Sequence, residues 1–294
     1  MYLFFCILLL CLTLFIPTKE SFENIPEDIG NYLSKYFYHY SVSVCKKTDF
    51  HYPQSSHLLL KYLPETIPFD PEILLQFKAK GITLEKLTPI QGMSIWECNS
   101  DWILDLWIIL KPMIQEILQS AIQTSGLQTR AKTIIHFRCA DTPFIKQSMY
   151  YLQRYDFFKE CLALYPDKKV TLMNCSTHRC GKENQEACAE YVRRLAAFLT
   201  SLGYEVETQC KTNGEDFADL FHAKMVISTG GSFSFMSGFF GKGIFLSTEH
   251  VPTDKSSGCE SLACERIFKK GYNIPHEQVE SYHDIDEVYT LLIN

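Results

Sequence analysis

The sequence predicts an α/β fold with a parallel sheet in its carboxyl-terminal half, and three observations carry that prediction. Short apolar runs rich in β-branched residues recur at 132–137, 169–174, 204–208, 225–228 and 244–247. Between them lie stretches of helical length and amphipathic pattern, at Gln147–Tyr165, Glu183–Leu202 and Asp216–His222, with Gly203 stopping the second. The runs end abruptly in residues that do not continue a central strand, such as Thr142-Pro143 and Gly230-Gly231. Strands alternating with helices of these lengths specify a parallel sheet wrapped by helices.

Residues 18–130 have weaker periodicity. Tyr32, Tyr36, Phe37, Tyr38 and Tyr40 form an aromatic stretch that reads as core, and Pro53, Pro64, Pro68 and Pro71 mark loops. A helix is predicted from Asn99 to Gln119, with Asn99 or Ser100 as cap, Asp101 in the first turn, and Trp102, Ile103, Leu106, Trp107 and Leu110 on its apolar face. Pro112 is expected to kink or split it, leaving Met113–Ser120 as a second piece. The polar stretch Gln123–Arg130 is the best domain boundary. The division is therefore a leader over 1–17, an amino-terminal domain over 18–130 and a carboxyl-terminal domain over 131–294.

A net charge of −6 and a pI near 5.9 exclude a general nucleic-acid binder, so any anionic ligand must be held locally. Met1–Ile16 is apolar apart from Thr13, lacks a small-x-small cleavage site after it, and reads as an uncleaved signal anchor, with a cleaved leader as the alternative. Either implies a lumenal or extracellular remainder, the anchor a Golgi or endoplasmic-reticulum membrane. Cysteine usage agrees with an oxidising compartment: of 12 cysteines, Cys6 and Cys11 lie in the leader and ten follow it. Disulfides are expected without a readable pairing, although Cys259 and Cys264 flank a short loop. A zinc site from Cys175, His178, Cys180 and Cys188 is the competing reading. Asn174-Cys175-Ser176 fits a glycosylation sequon at a strand end expected to be packed.

The chemistry concentrates in Lys132–Asp141. Thr133, Ile134, Ile135 and Phe137 read as a buried strand, and Arg138 follows at its carboxyl end, facing the crevice where open α/β sheets bind ligands. A guanidinium there offers a fork of donors to phosphate; a structural salt bridge with Asp141 is the plainer alternative. The second constellation is Met225–Gly243, where a strand runs into Gly230-Gly231, Ser232, Ser234 and a helix. Close backbone approach, outward N–H groups and hydroxyls suit a phosphate, and a tight turn capped by Ser232 is the structural alternative.

The spacing His136-x-Arg138-x-x-Asp141 resembles the H-x-R-x-x-D motif of the α1,2-, α1,6- and protein O-fucosyltransferases. Ser232-Phe233-Ser234 and Gly238 resemble their N-S-T/S-F-S-W-W-G segment, with Phe235-Met236 in place of the tryptophans. Asp216-Phe217-x-x-Leu220-x-x-Ala223 resembles the short helix before that strand in GT-B glycosyltransferases. The resemblance covers about residues 132–250. Two departures are visible: Cys139 stands where α1,2-fucosyltransferases carry a second arginine, and their amino-terminal G-x-G-N-Q-x-F segment has no evident counterpart, Gln91-Gly92-Met93 being a poor match.

The resemblance implies a GT-B-like architecture of two Rossmann-like domains and an inverting transfer of fucose from GDP-fucose to a glycan or glycoprotein acceptor. It implies a donor site of His136, Arg138, Asp141, Asp216, Gly231, Ser232, Phe233 and Ser234, with Arg138 stabilising the leaving phosphate. Glu97 and Asp101 are the candidates for the base that activates the acceptor. No D-x-D motif is present and Asp216-x-x-Asp219 has the wrong spacing, so neither metal nor other cofactor is expected. A transferase using another nucleotide sugar, or a non-catalytic lectin-like protein of the same fold, are the alternatives.

Overall fold

The computed structural model describes residues 28–57, 59–88, 101–130, 132–139, 142–144, 151–174, 181–247 and 272–294. Its first helix, α1 (Ile29–Lys46), is capped by the Asp28 carboxylate and ends in a left-handed Lys47. A two-stranded antiparallel ladder follows, β1 (Phe50–His51) with β2 (Thr66–Ile67), then α2 (Pro71–Ala79) and the single turn α3 (Leu84–Leu87). The long α4 (Asp101–Ser125) leads to Gly126, whose positive φ turns the chain toward the sheet.

From there strands and helices alternate: β3 (Thr133–His136), α5 (Tyr155–Ala163), β4 (Lys169–Met173), α6 (Lys182–Ser201), β5 (Glu205–Gln209), α7 (Asn213–His222) and β6 (Met225–Ser228). A short turn, α8 (Ser232–Ser234), runs into a π-helical turn over Phe235–Phe239; β7 (Ile244–Ser247) and α9 (Ile285–Ile293) complete the described chain. The five strands are all parallel in the order β5-β4-β3-β6-β7. The chain thus builds β3, β4 and β5 outward in one direction, returns to the middle, and builds β6 and β7 in the other. The reversal lies between β3 and β6.

One face of the sheet is covered by α5, α6 and α9, where Phe157, Phe158, Tyr191, Leu195, Val288 and Leu292 pack on Ile135, Leu172 and Ile227. On the other face, Ile134, Met173 and Val226 meet Leu220 and Ala223 at the end of α7. A helical layer lies beyond: α1 and α4 share a core with Phe217 and Phe221 of α7 and with Phe235, Met236 and Phe240. This core therefore crosses the boundary expected at 123–130. The aromatic stretch of α1 is core because its rings are buried while Tyr32, Tyr36 and Tyr38 donate their hydroxyls to the carbonyls of Pro53, Pro64 and Leu87.

The strands lie within a residue or so of their expected positions, but four expectations need correction. Pro112 does not split its helix: α4 is continuous, Pro112 faces solvent, and its buried residues 103, 106, 107, 110, 114 and 118 keep one stripe through it. Packing of that stripe outweighs the one lost backbone hydrogen bond. The helix expected from Gln147 begins only at Tyr155; residues 145–150 lie outside the described set. Zinc ligation by Cys188 is replaced by a Cys139–Cys188 disulfide. Cys210 is also disulfide-bonded, while Cys175, His178, Cys180, Cys259 and Cys264 lie outside the described residues.

The fourth correction concerns the membrane. The leader, 1–17, lies outside the described residues, and among those described no helix is long and apolar enough to cross a membrane. Even the longest, α4, carries Asp105, Lys111 and Glu116 along its length. No described helix supports the expectations of a membrane anchor and of a Golgi or endoplasmic-reticulum membrane location, and they are carried no further.

Trp107 is fully buried where α4 meets the π-helical turn, its ring edge-on to Phe235 and Phe240 at 6.1 and 5.5 Å. Trp107→Ala should cost about 3–5 kcal/mol, and because the core is continuous across the two halves, unfolding should remain one transition. Urea titrations followed by far-ultraviolet circular dichroism and tyrosine fluorescence check this; two separated transitions would show that the halves fold independently.

Candidate functional site

The site is built where the sheet reverses direction. Beyond the β3 ladder the chain keeps contact with both neighbours: the Phe137 N–H donates to the Met173 carbonyl (2.9 Å), the Thr229 N–H to the His136 carbonyl (3.1 Å), and the Arg138 N–H to Thr229 Oγ1 (2.7 Å). The Asn174 side-chain amide donates to the Phe137 carbonyl at 2.6 Å. It is a strut between strand ends. These bonds fix the backbone from which the half-buried Arg138 projects.

Gly230 and Gly231 follow β6 with φ of 120° and 104°, a conformation that L side chains rarely adopt. Space at Gly231 is also closed. A Cβ there would stand 2.8 Å from one guanidinium nitrogen of Arg138 and 3.4 Å from its Cδ. The arginine thus lies against glycine backbone, and the two segments predicted from sequence, one after β3 and one after β6, are brought together across the reversal point.

The serine hydroxyls are engaged within the fold. Ser234 is fully buried, with its hydroxyl 2.7 Å from that of Ser228 and 3.2 Å from the Gly230 and Gly231 carbonyls. The Gly230 N–H donates to Ser228 Oγ at 3.0 Å. Ser232 donates to Asn31 Oδ1 at 2.8 Å. These groups hold the loop in shape. The helix expected to present its positive end is one α turn followed by a π turn, too short to add a sizeable dipole. Phe233 lies half-buried between His136 and Phe217, with ring centroids 5.8 and 5.7 Å away.

His136 shares the inner face with Phe233. Its Nδ1 is sealed from solvent without a hydrogen-bond partner, although part of the residue reaches the surface. Burial, and secondarily the Arg138 guanidinium, lower its pKa from 6.5 to about 4, so the ring is neutral at physiological pH. Asp216 belongs elsewhere. It is buried at the end of β5, two strands from β3, accepting from Gln209 Nε2 (2.8 Å) and the Lys211 N–H (3.1 Å). Burial pushes its carboxyl above the usual range. Gln209 also donates to Asp219, which is paired with Lys211 at 2.8 Å, so the two carboxylates form a brace between α7 and β5. Asp141 and Glu97, and the side chain of Asp101, lie outside the described residues. Among the described residues no group of three or more His, Cys, Asp or Glu side chains has metal-binding geometry.

The residue that sequence reading missed is Asn31. The first turn of α1 sits on the Ser232–Phe233 backbone so closely that a Cβ on Gly30 would overlap it. Asn31, next in the chain, takes the Ser232 hydroxyl on its Oδ1, which fixes the amide orientation and leaves Nδ2 as its donor group. A Gly-Asn pair in the first turn of an aromatic helix, one residue after its Asp28 cap, is the signal for it. Comparison with protein-family models, with curated proteins and with solved structures finds no match to this chain.

The neutral state of His136 has a pH consequence. The unfolded chain takes up a proton near pH 6.5, the folded one only near pH 4. The unfolded state therefore binds more protons in that window, and stability falls as pH falls through it, by on the order of 3 kcal/mol in full. Urea titrations from pH 7 to 4 on the wild type and on His136→Gln should show the wild type losing this much more than the variant. A constant difference across the window would mean that His136 titrates as it does in water.

Proposed function

We propose that the chain is a glycosyltransferase-type protein that binds a nucleoside diphosphate sugar in the crevice between the ends of β3 and β6. The observation that carries this reading is the seating of Arg138 against Gly231 at the reversal point, the position where open α/β sheets bind nucleotides. A diphosphate there would meet a permanently charged planar donor that is held in place against glycine backbone. The Asn31 amide adds a neutral donor from the helical layer. In a transfer reaction the leaving phosphate gains charge as the glycosidic bond breaks, and Arg138 would stabilise that charge.

The sheet would be the donor-binding half of a GT-B-like protein. The described amino-terminal half is helical, with the β1–β2 ladder as its sheet, and supplies α1 as one wall of the crevice. GDP-fucose is the donor favoured by the H-x-R-x-x-D resemblance, while among the described residues no contact distinguishes a fucosyl from another glycosyl donor. A second reading, a non-catalytic carbohydrate-binding protein of the same fold, is favoured by one observation: the Ser232 and Ser234 hydroxyls bond within the loop and to α1.

A thermal-shift panel of GDP, UDP, CMP and ADP separates these readings. Protection by GDP supports the fucosyl donor, protection by UDP or CMP another sugar, and protection by none of them, with binding on a glycan array, the non-catalytic reading. Arg138→Lys keeps the charge and loses the fork, so it should lower turnover about a hundredfold, as loss of one charge-stabilising donor does, while weakening nucleotide protection less than that, with circular dichroism unchanged. Normal turnover in a folded Arg138→Lys protein would remove the phosphate role.

A further inference from the structure

We infer that the Cys139–Cys188 disulfide is a positioning device for Arg138, fixing the arginine from its carboxyl side as the strand bonds fix it from its amino side. On the amino side the hold is continuous: Phe137 bonds to β4, and the Arg138 N–H to Thr229 after β6. The β3 ladder ends there, and Thr142 already begins a 3-10 turn. Cys139 is the next residue, and its sulfur is bonded to Cys188 on α6.

Both cysteines are buried. α6 is a 20-residue helix anchored under the opposite sheet face by Tyr191, Leu195 and Leu199. The crosslink therefore joins the residue after Arg138 to one of the most firmly packed elements of the fold. That position is demanding, because the guanidinium must lie in the narrow space that Gly231 leaves open. A backbone anchored at one end would let residues 138 and 139 swing outward, carrying the charge away from the glycine and from His136. Cys139 stands directly beside Arg138 in the motif, so the bridge acts where small rotations move the guanidinium most.

His136 reports the arginine's position without any ligand, since the neighbouring guanidinium contributes to keeping its ring neutral. The inference concerns the residue on which the proposed function rests, and because its test uses no nucleotide, either can fail alone. The test is a proton NMR titration of the His136 ring in the wild type, Cys139→Ala/Cys188→Ala and Arg138→Gln, with the signal assigned by its loss in His136→Gln. Removing the bridge should raise the His136 midpoint by about half a pH unit, as loss of a like charge does, matching Arg138→Gln, while the Trp107 indole signal stays in place.

An unchanged midpoint in the folded double variant would overturn the proposal. Cys139→Val/Cys188→Ala, which refills the volume of the bridge with apolar atoms, is the second variant if the first does not fold. Failure of both to fold would make the bridge a requirement of the whole fold and would equally overturn a role specific to Arg138.

Discussion

The structure depends on the seating of the first turn of α1 on the backbone of Ser232 and Phe233. Gly30 permits an approach that any side chain would block, and Asn31 and Ser232 close it with a hydrogen bond. Around this contact the apolar residues of α1, α4, α7 and the π-helical turn form one core, so the amino-terminal helices and the sheet are held as a unit. The same contact shapes the glycine loop. With Ser232 tied to α1 and Ser234 tied to Ser228, the loop keeps the backbone conformation that lets Arg138 lie against Gly231.

The polar groups around the reversal point divide into those that build the loop and those that face outward. Ser228, Ser234 and the Gly230 N–H satisfy one another in the interior, as buried polar groups must. Arg138 and the Asn31 amide stand at the boundary with solvent. His136 lies between these two sets, neutral because burial and the neighbouring guanidinium both oppose its protonation. A charged ring beside Arg138 would repel it from the glycine, so the burial of His136 and the placement of Arg138 are compatible only with the neutral form.

Asp216 shows why a motif position need not be a site position. Its spacing ahead of β6 made it a candidate, yet α7 packs its apolar residues on the inner strands while the Asp216 carboxylate is braced by Gln209 at the end of β5 and by the Lys211 backbone. Conversely Asn31 lies about two hundred residues from Ser232 in the chain, in a segment read from its aromatic content alone. Long-range juxtaposition of this kind leaves no periodic trace in a sequence. The disulfide is similar: ten cysteines after the leader allow many pairings, and it took the packing of α6 beneath β3 to put Cys188 beside Cys139.

The sequence by itself determined the parallel sheet and the two strand ends that carry Arg138 and Gly230-Gly231. Strand runs, their apolar pattern and the residues that terminate them are local properties, read over a few positions. Tertiary structure decided the rest. It kept α4 whole through Pro112, because a long buried stripe outweighs one missing hydrogen bond, and it turned Ser232 and Ser234 inward, because a loop this tightly packed must satisfy its own polar groups. It also brought Asn31 to the loop and tied the Asp216 carboxylate to Gln209 and Lys211, since which side chains meet across a sheet edge follows from the order of the strands and from how closely backbones can approach, and neither is encoded at a fixed spacing.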